Sequence, residues 1–168
     1  MTPFGAIEPL GEEHLVDGFD SGESSLDEWL VRLAKPNQAA GFSRTYVVVE
    51  DERVVAFHAL SSFAIWRADA TGRARRQSPP QIPAVLLGRL AVDLRFQGHG
   101  LGAALLRHAM ELTVVAADAV GIRLLVVNAL HEEAARFYRR FGLEPSPTNA
   151  LDLMITVNDL RASLPPDR

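Results

Sequence analysis

The chain has 168 residues, no cysteine, 48% hydrophobic and 23% charged residues, and a formal net charge of −4. That length and composition suit a single domain over residues 1–168, and they exclude a chain disordered throughout, a disulfide scaffold and a thiolate metal site. No apolar run approaches the roughly 18–20 residues that cross a bilayer, and the opening lacks the basic-then-apolar order of a secretion signal, so a cytoplasmic protein with no membrane association is expected.

In chain order, Ile7–Leu10 reads as a short first strand. Ser24 or Ser25 can cap a helix over Leu26–Ala34, with Asp27 and Glu28 in its favourable first turn. Leu26, Trp29, Leu30 and Leu33 share one face of that helix, Arg32 and Lys35 neighbour each other on the outer face, and Pro36-Asn37 stops it. Thr45–Glu50 and Arg53–Leu60 are β-rich runs joined through Asp51-Glu52, a hairpin in outline. Trp66–Pro83 reads as a long loop carrying Arg67, Arg73, Arg75 and Arg76. Val85–Val92 is the next strand, and Gly100–Val120 is a long helix ended by Gly121 at C′. Leu124–Val127 is apolar on both faces, as a central strand should be. Glu132–Phe141 is a helix closed by Gly142, and Leu151–Val157 alternates like a last strand. The order β-α-β-β-β-α-β-α-β implies an α/β (α+β) domain with a mixed, twisted central sheet and helices on both faces.

Chemistry concentrates in two stretches. After the Val85–Val92 strand comes RFQGHGLGAALL (Arg95–Leu106), a glycine-rich turn that opens a helix. Successive backbone N–H groups at the positive end of a helix dipole can hold a pyrophosphate, and Gly98, Gly100 and Gly102 remove side chains where a ligand approaches the backbone. A dinucleotide-binding turn would want an acid about 20 residues on, at the end of a second strand. Asp118 lies at that distance but inside the helix, so that reading fits poorly. The second stretch, Asn128–Gly142, places Ala134, Phe137, Tyr138 and Phe141 on one helical face, which on spacing alone is an ordinary core stripe.

Gln97, Gly100 and Gly102 match the Q/R-x-x-G-x-G/A loop of the GNAT N-acetyltransferases, and Asn128–Gly142 resembles their N-x-x-A-x-x-F-Y-x-x-x-G-F segment. The resemblance implies the GNAT fold, a splayed pair of central strands (Val85–Val92 and Leu124–Val127), and acetyl-CoA as cofactor without a metal. It implies that Leu90, Ala91 and Val92 line the acetyl and pantetheine arm, and that Gln97, Gly98, His99, Gly100, Leu101 and Gly102 hold the pyrophosphate. Asn128 and Phe137 complete the cofactor site. Tyr138 becomes the general acid toward the departing thiolate, with the Val92 N–H as oxyanion donor. A phenol with pKa about 10 is protonated at neutral pH without special tuning. His58, His99, His108, His131 and Glu50 are base candidates by residue type, His108 being expected in solvent. An α-amine with pKa of about 7.7–8.0 is partly neutral already and needs no dedicated base.

Gly18–Leu30 (GFDSGESSLDEWL) and LLGRLAVD ahead of the glycine turn resemble the toxin branch of the family, whose members acetylate aminoacyl-tRNA. That implies phosphate contacts from Arg67, Arg73, Arg75, Arg76 and Arg89, extended by Arg32, Lys35 and Arg44. It also implies a ribbon-helix-helix antitoxin and a homodimer. The rival readings are a GNAT enzyme acting on a small amine or a protein N-terminus, and a non-catalytic binding module.

Overall fold

The structure, a computed structural model, describes residues 5–165. Its strands are β1 (Glu8–Pro9), β2 (Arg44–Glu50), β3 (Arg53–Trp66), β4 (Gln81–Val92), β5 (Leu124–Asn128), β6 (Glu144–Pro145) and β7 (Asp152–Thr156). Its helices are α1 (Ser24–Arg32), α2 (Ala34–Ala39), α3 (Gly72–Arg75), α4 (Leu101–Ala119), α5 (Glu132–Arg139) and α6 (Val157–Ser163). The strands form a seven-stranded mixed sheet in the order β1-β2-β3-β4-β5-β7-β6. The chain condenses into two compact units, residues through Ser61 with Gly88–Ala109, and Ser62–Leu87 with residues from Met110 onward. No helix among the described residues is long and apolar enough to cross a membrane.

In the first unit, β2 and β3 form the expected hairpin, with Asp51 and Glu52 both at positive φ in its tight turn. Alternation along the pair separates two apolar faces. Val47, Phe57 and Ala59 pack with Trp29 and Leu30 of α1, while Val48 and Ala56 pack with Leu101 and Leu105 of α4. Trp29 stacks on Phe57 at 6.0 Å, and the Arg89 guanidinium lies 4.6 Å from the Trp29 ring centroid. The register slips between Val48 and Val49, so Val48 faces Ala56 and Val49 faces Val54. Val55 is left as the bulged residue, and its carbonyl accepts the N–H of Asp93 at 2.9 Å.

The second unit centres on β5, whose Leu124–Val127 are fully buried. Ala84–Leu87 of β4 run parallel to Leu124–Val127, and the pairing stops at Leu87 while β4 continues to Val92. Ile65, Ala70, Ala74, Ile82, Val126 and Met154 form this unit's core cluster.

Several local expectations are corrected. Helix α1 starts at Ser24 with Glu23 as N-cap and no side-chain cap, because Ser21 reaches the Asp27 carboxylate through both its N–H (3.0 Å) and its hydroxyl (2.6 Å). Pro36 does not stop the helical segment: the chain breaks at Leu33, and Pro36 sits in the first turn of α2, where an N–H would be orphaned anyway. Leu33 is half exposed rather than packed, and the break also parts Arg32 from Lys35. Trp66–Pro83 is not a plain loop. It holds the end of β3, a 3-10 turn at Arg67–Asp69, α3 capped by the Thr71 hydroxyl, and the start of β4. Burial of Ala70 and Ala74 orders it, a tertiary effect invisible to local periodicity.

Gly121 does not take the left-handed C′ conformation, whereas Gly142 does, at φ +92. Phe141 is exposed, so the α5 stripe buries Ala135 and Tyr138 instead. The strand over Leu151–Val157 shortens to β7, because Thr156 caps α6 by accepting the Asp159 N–H.

One cation holds the arginine-bearing segment in place. The Arg123 guanidinium donates to the carbonyls of Ala74 (3.3 Å), Arg73 (3.2 Å) and Arg76 (3.5 Å), where α3 ends. Arg123→Ala should cost about 1 kcal/mol of stability and accelerate amide exchange selectively in α3. Unchanged exchange there would show that Arg123 is not the strut.

Candidate acetyl-transfer site

The glycine turn is anchored at its base by Asp93, which is 2% exposed. Asp93 Oδ1 accepts from the Arg95 N–H (3.0 Å) and Arg95 Nε (3.1 Å), and its Oδ2 accepts from the Asp20 N–H (3.2 Å). Burial pushes this carboxyl up, but the Arg95 and Asp20 hydrogen bonds together outweigh it and hold the pKa below the ordinary carboxylate value. The Gln97 side chain, on the resemblance a pyrophosphate neighbour, donates instead to Ser21 O (3.1 Å) and Val92 O (2.9 Å). Its part is to brace the turn on Asp20–Ser21, the segment that leads into α1.

Beyond that brace the backbone is open. Gly98 and Gly100 both have φ +83, and a Cβ built on either meets no atom within 4 Å. Side chains rarely adopt that conformation, so the turn needs glycine there, and it leaves room for a group lying on the backbone. Those two features fit a pyrophosphate, such as the one acetyl-CoA carries.

In the second unit, Tyr138 is buried on α5 and meets Phe137 edge-on at 5.2 Å. Burial raises its phenol above the ordinary value, which corrects the expectation of an unperturbed group and makes the protonated form still more dominant at neutral pH. Asn128 ends β5, where it faces Asp152 of β7.

The basic residues do not act as one set. Lys35 Nζ is committed to the carbonyls of Glu12 (3.0 Å) and His14 (2.8 Å). Arg89 is half buried over Trp29, and burial lowers its pKa. Arg73 pairs with Asp159 at 2.6 Å. Arg67 and Arg75 line one open groove, while Arg76 lines another with Arg123. Arg32 and Arg44 are exposed in the first unit.

Residues 41–145 match the acetyltransferase (GNAT) domain. The chain belongs to the GNAT acetyltransferase family. It is 46% identical over 162 residues to the tRNA-acetylating toxin of Mycobacterium tuberculosis, covering 96% of this chain and 98% of that one. Among solved structures it resembles AtaT complexed with acetyl-methionyl-tRNAfMet (TM-score 0.86, 30% identity, 94% and 97% of the two chains). It also resembles a tyrosine-to-phenylalanine AtaT toxin bound to the C-terminus of the antitoxin AtaR and acetyl-CoA (TM-score 0.80, 29% identity, 94% and 96%).

This acetyltransferase also contains a histidine pair that sequence spacing did not join. His58 of β3 is fully buried, and its Nε2 lies 2.9 Å from Nδ1 of His108 on α4. His108 is therefore half-buried, which corrects the expectation that it lies in solvent. Tyr46, opposite His58 in the hairpin register, stacks on His58 at 5.2 Å and meets His108 edge-on at 5.0 Å. His58 Nδ1 is buried without a partner among the described residues. That places the proton of the neutral ring on Nε2, donating to His108, since a stranded N–H is the rarer defect. Of the other base candidates, His131 caps α5 by accepting the Ala134 N–H, and Glu50 is exposed at the end of β2. Asp93 was also missed as a site residue, although it stands immediately before the turn.

Burial first, and then the charge of His108, lower the His58 pKa from 6.5 to about 3. The unfolded chain therefore binds a proton that the folded chain refuses. Stability is lost as pH falls from the ordinary histidine range toward that depressed value, by up to about 1.4 kcal/mol per pH unit. Thermal midpoints between about pH 7 and about pH 4 should decline less steeply in His58→Gln than in wild type. Parallel curves would refute the assignment.

Proposed function

We propose that this protein is an acetyl-CoA-dependent N-acetyltransferase toxin that acetylates the α-amino group of aminoacyl-tRNA. Residues 1–168 constitute one acetyltransferase domain, working in the cytoplasm. The observation that carries the reading is the near full-length 46% identity to a tRNA-acetylating toxin. The AtaT complex with acetyl-methionyl-tRNAfMet supports the same acceptor. An acetylated α-amine has lost its nucleophilic lone pair to an amide and cannot form the next peptide bond, so translation stops.

When bound, acetyl-CoA supplies an acetyl group activated as a thioester. The N–H groups of the Gln97–Gly102 turn would hold its pyrophosphate, at the open backbone of Gly98 and Gly100. Leu90, Ala91 and Val92 would line the arm, and Asn128 and Phe137 are assigned to the same cofactor. The Val92 N–H would donate to the carbonyl oxygen that gains charge. Tyr138, kept protonated by burial, would supply the proton for the leaving sulfur, while the attacking amine gives up its own proton to solvent. Among the basic residues, Arg67, Arg75, Arg76 and Arg32, which pair with no carboxylate among the described residues, would meet tRNA phosphates, and Arg73 would exchange Asp159 for phosphate. Arg89 and Lys35 contribute by holding Trp29 and the His14 segment in place.

The partner that silences the enzyme is an antitoxin, as supported by the AtaT–AtaR complex. We assign it to the ribbon-helix-helix class, with a C-terminal tail that covers the basic face or the acyl-CoA slot. The toxin itself acts as a homodimer.

Induced expression should arrest growth with wild type and not with Tyr138→Phe, and N-acetyl-aminoacyl-tRNA should accumulate only in the arrested cells. Losing the acid should lower the acetylation rate on the order of 10²- to 10⁴-fold. Normal growth with both proteins, and no acetylated tRNA by mass analysis, would redirect the search to small amines and protein N-termini.

A further inference from the structure

Two hollows in the second unit share one side chain, Trp66. The first is a cavity of about 340 Å³. Phe63, Ile65 and Met154 give it apolar walls, and Asp69, Asp152 and Asn128 give it polar ones. Its acidic end is held in shape. The Thr148 hydroxyl donates to Asp69 Oδ1 at 2.7 Å, and the Ser146 hydroxyl donates to the Asp69 carbonyl at 2.6 Å. The Asp152 carboxylate has no ion pair with any described residue, and burial, followed by the nearby Asp69 charge, raises its pKa. Such a group gains from a cation placed beside it.

The second hollow is an open groove of about 740 Å³, lined by Arg67, Arg75 and Pro80 beside Trp66. Trp66 is 58% exposed, unusually so for the largest apolar side chain. An exposed indole flanked by guanidinium groups suits an unstacked base and its phosphates.

The 3′ end of a charged tRNA carries these charges in the same order. Its ammonium is joined through one ester to a ribose whose base is unpaired and whose phosphate is anionic. Cationic and anionic ends are therefore separated by a single nucleoside, and their pockets must share a wall. We propose that Trp66 is the platform on which the terminal adenosine of aminoacyl-tRNA stacks, with its phosphates against Arg67 and Arg75 and the aminoacyl ammonium in the Asp69–Asp152 cavity. The apolar walls select an apolar aminoacyl side chain. This inference rests on the function proposed above and names the determinants of its acceptor.

The test begins with bulk tRNA charged with a mixture of amino acids, to identify which species wild type acetylates. Kinetics then compare that charged tRNA with the methyl ester of the same amino acid, which lacks the nucleotide. Trp66→Ala should raise KM for the charged tRNA on the order of 5- to 150-fold, with a smaller rise for the methyl ester. Trp66→Phe should recover most of the loss. Asp152→Asn should lower kcat/KM for both acceptors, which share the ammonium. Arg67→Ala with Arg75→Ala should raise KM for the charged tRNA and flatten its salt dependence. Equal KM rises on both acceptors in Trp66→Ala, or none, would overturn the stacking platform while leaving the enzyme a tRNA acetyltransferase. A wild-type protein that acetylates no charged tRNA would instead overturn the function, and this inference with it.

Discussion

A single buried carboxylate determines where the glycine turn begins. Asp93 sits at the end of β4, beside the bulge of β3 and the segment that leads into α1. Its N–H goes to the bulged Val55 carbonyl, and its carboxylate gathers the Asp20 N–H, the Arg95 N–H and the Arg95 guanidinium. Burying a carboxylate costs several kcal/mol unless such donors surround it, and here they come from the Asp20 backbone and from both the backbone and the side chain of Arg95. The bonds therefore compensate the burial and join three chain segments at one point. Leu94 N–H to Asp20 O and Gln97 to Ser21 O extend the same joint. The turn that follows can be open at Gly98 and Gly100 because its base is not.

The second unit solves a different problem, holding a polar and strongly cationic segment against an apolar core. Ala70 and Ala74 are buried between arginines that are not. Small side chains let the backbone approach the core, and the arginines point outward by default. Arg123 satisfies carbonyls that the short helix α3 leaves unpaired, and Arg73 is neutralised by Asp159. The remaining cations form a local field within a chain of net charge −4. Such a field attracts phosphate over about a Debye length without making the whole surface sticky toward nucleic acid.

Legibility in the sequence followed the range of the interaction. The glycine turn, the hairpin at Asp51-Glu52, Gly142 and the all-apolar β5 were readable because backbone conformation and short-period patterning set them locally. The cation track was implied by the resemblance to the toxin branch, and a resemblance cannot say which guanidinium is already occupied. Arg89 on Trp29, Lys35 on two carbonyls and Arg73 on Asp159 are non-local engagements that spend charges counted as free. The histidines show the converse. His58 and His108 looked unrelated in sequence, and the packing of α4 on the hairpin turned one into a buried neutral ring and the other into its acceptor.

By itself the sequence determined the family, the glycine-rich turn and the helix that carries Tyr138, since these rest on residue identity at short spacing. Tertiary structure alone decided that the β3 bulge would meet Asp93, that Ala70 and Ala74 would order a segment read as loop, and that Thr156 would turn a strand end into a helix cap. It also decided that Trp66 would stand between an acidic cavity and a basic groove. The reason is the same in each case. Burial and hydrogen-bond partnership are properties of what the folded chain brings near, and residues far apart in sequence carry no local sign of who their neighbour will be.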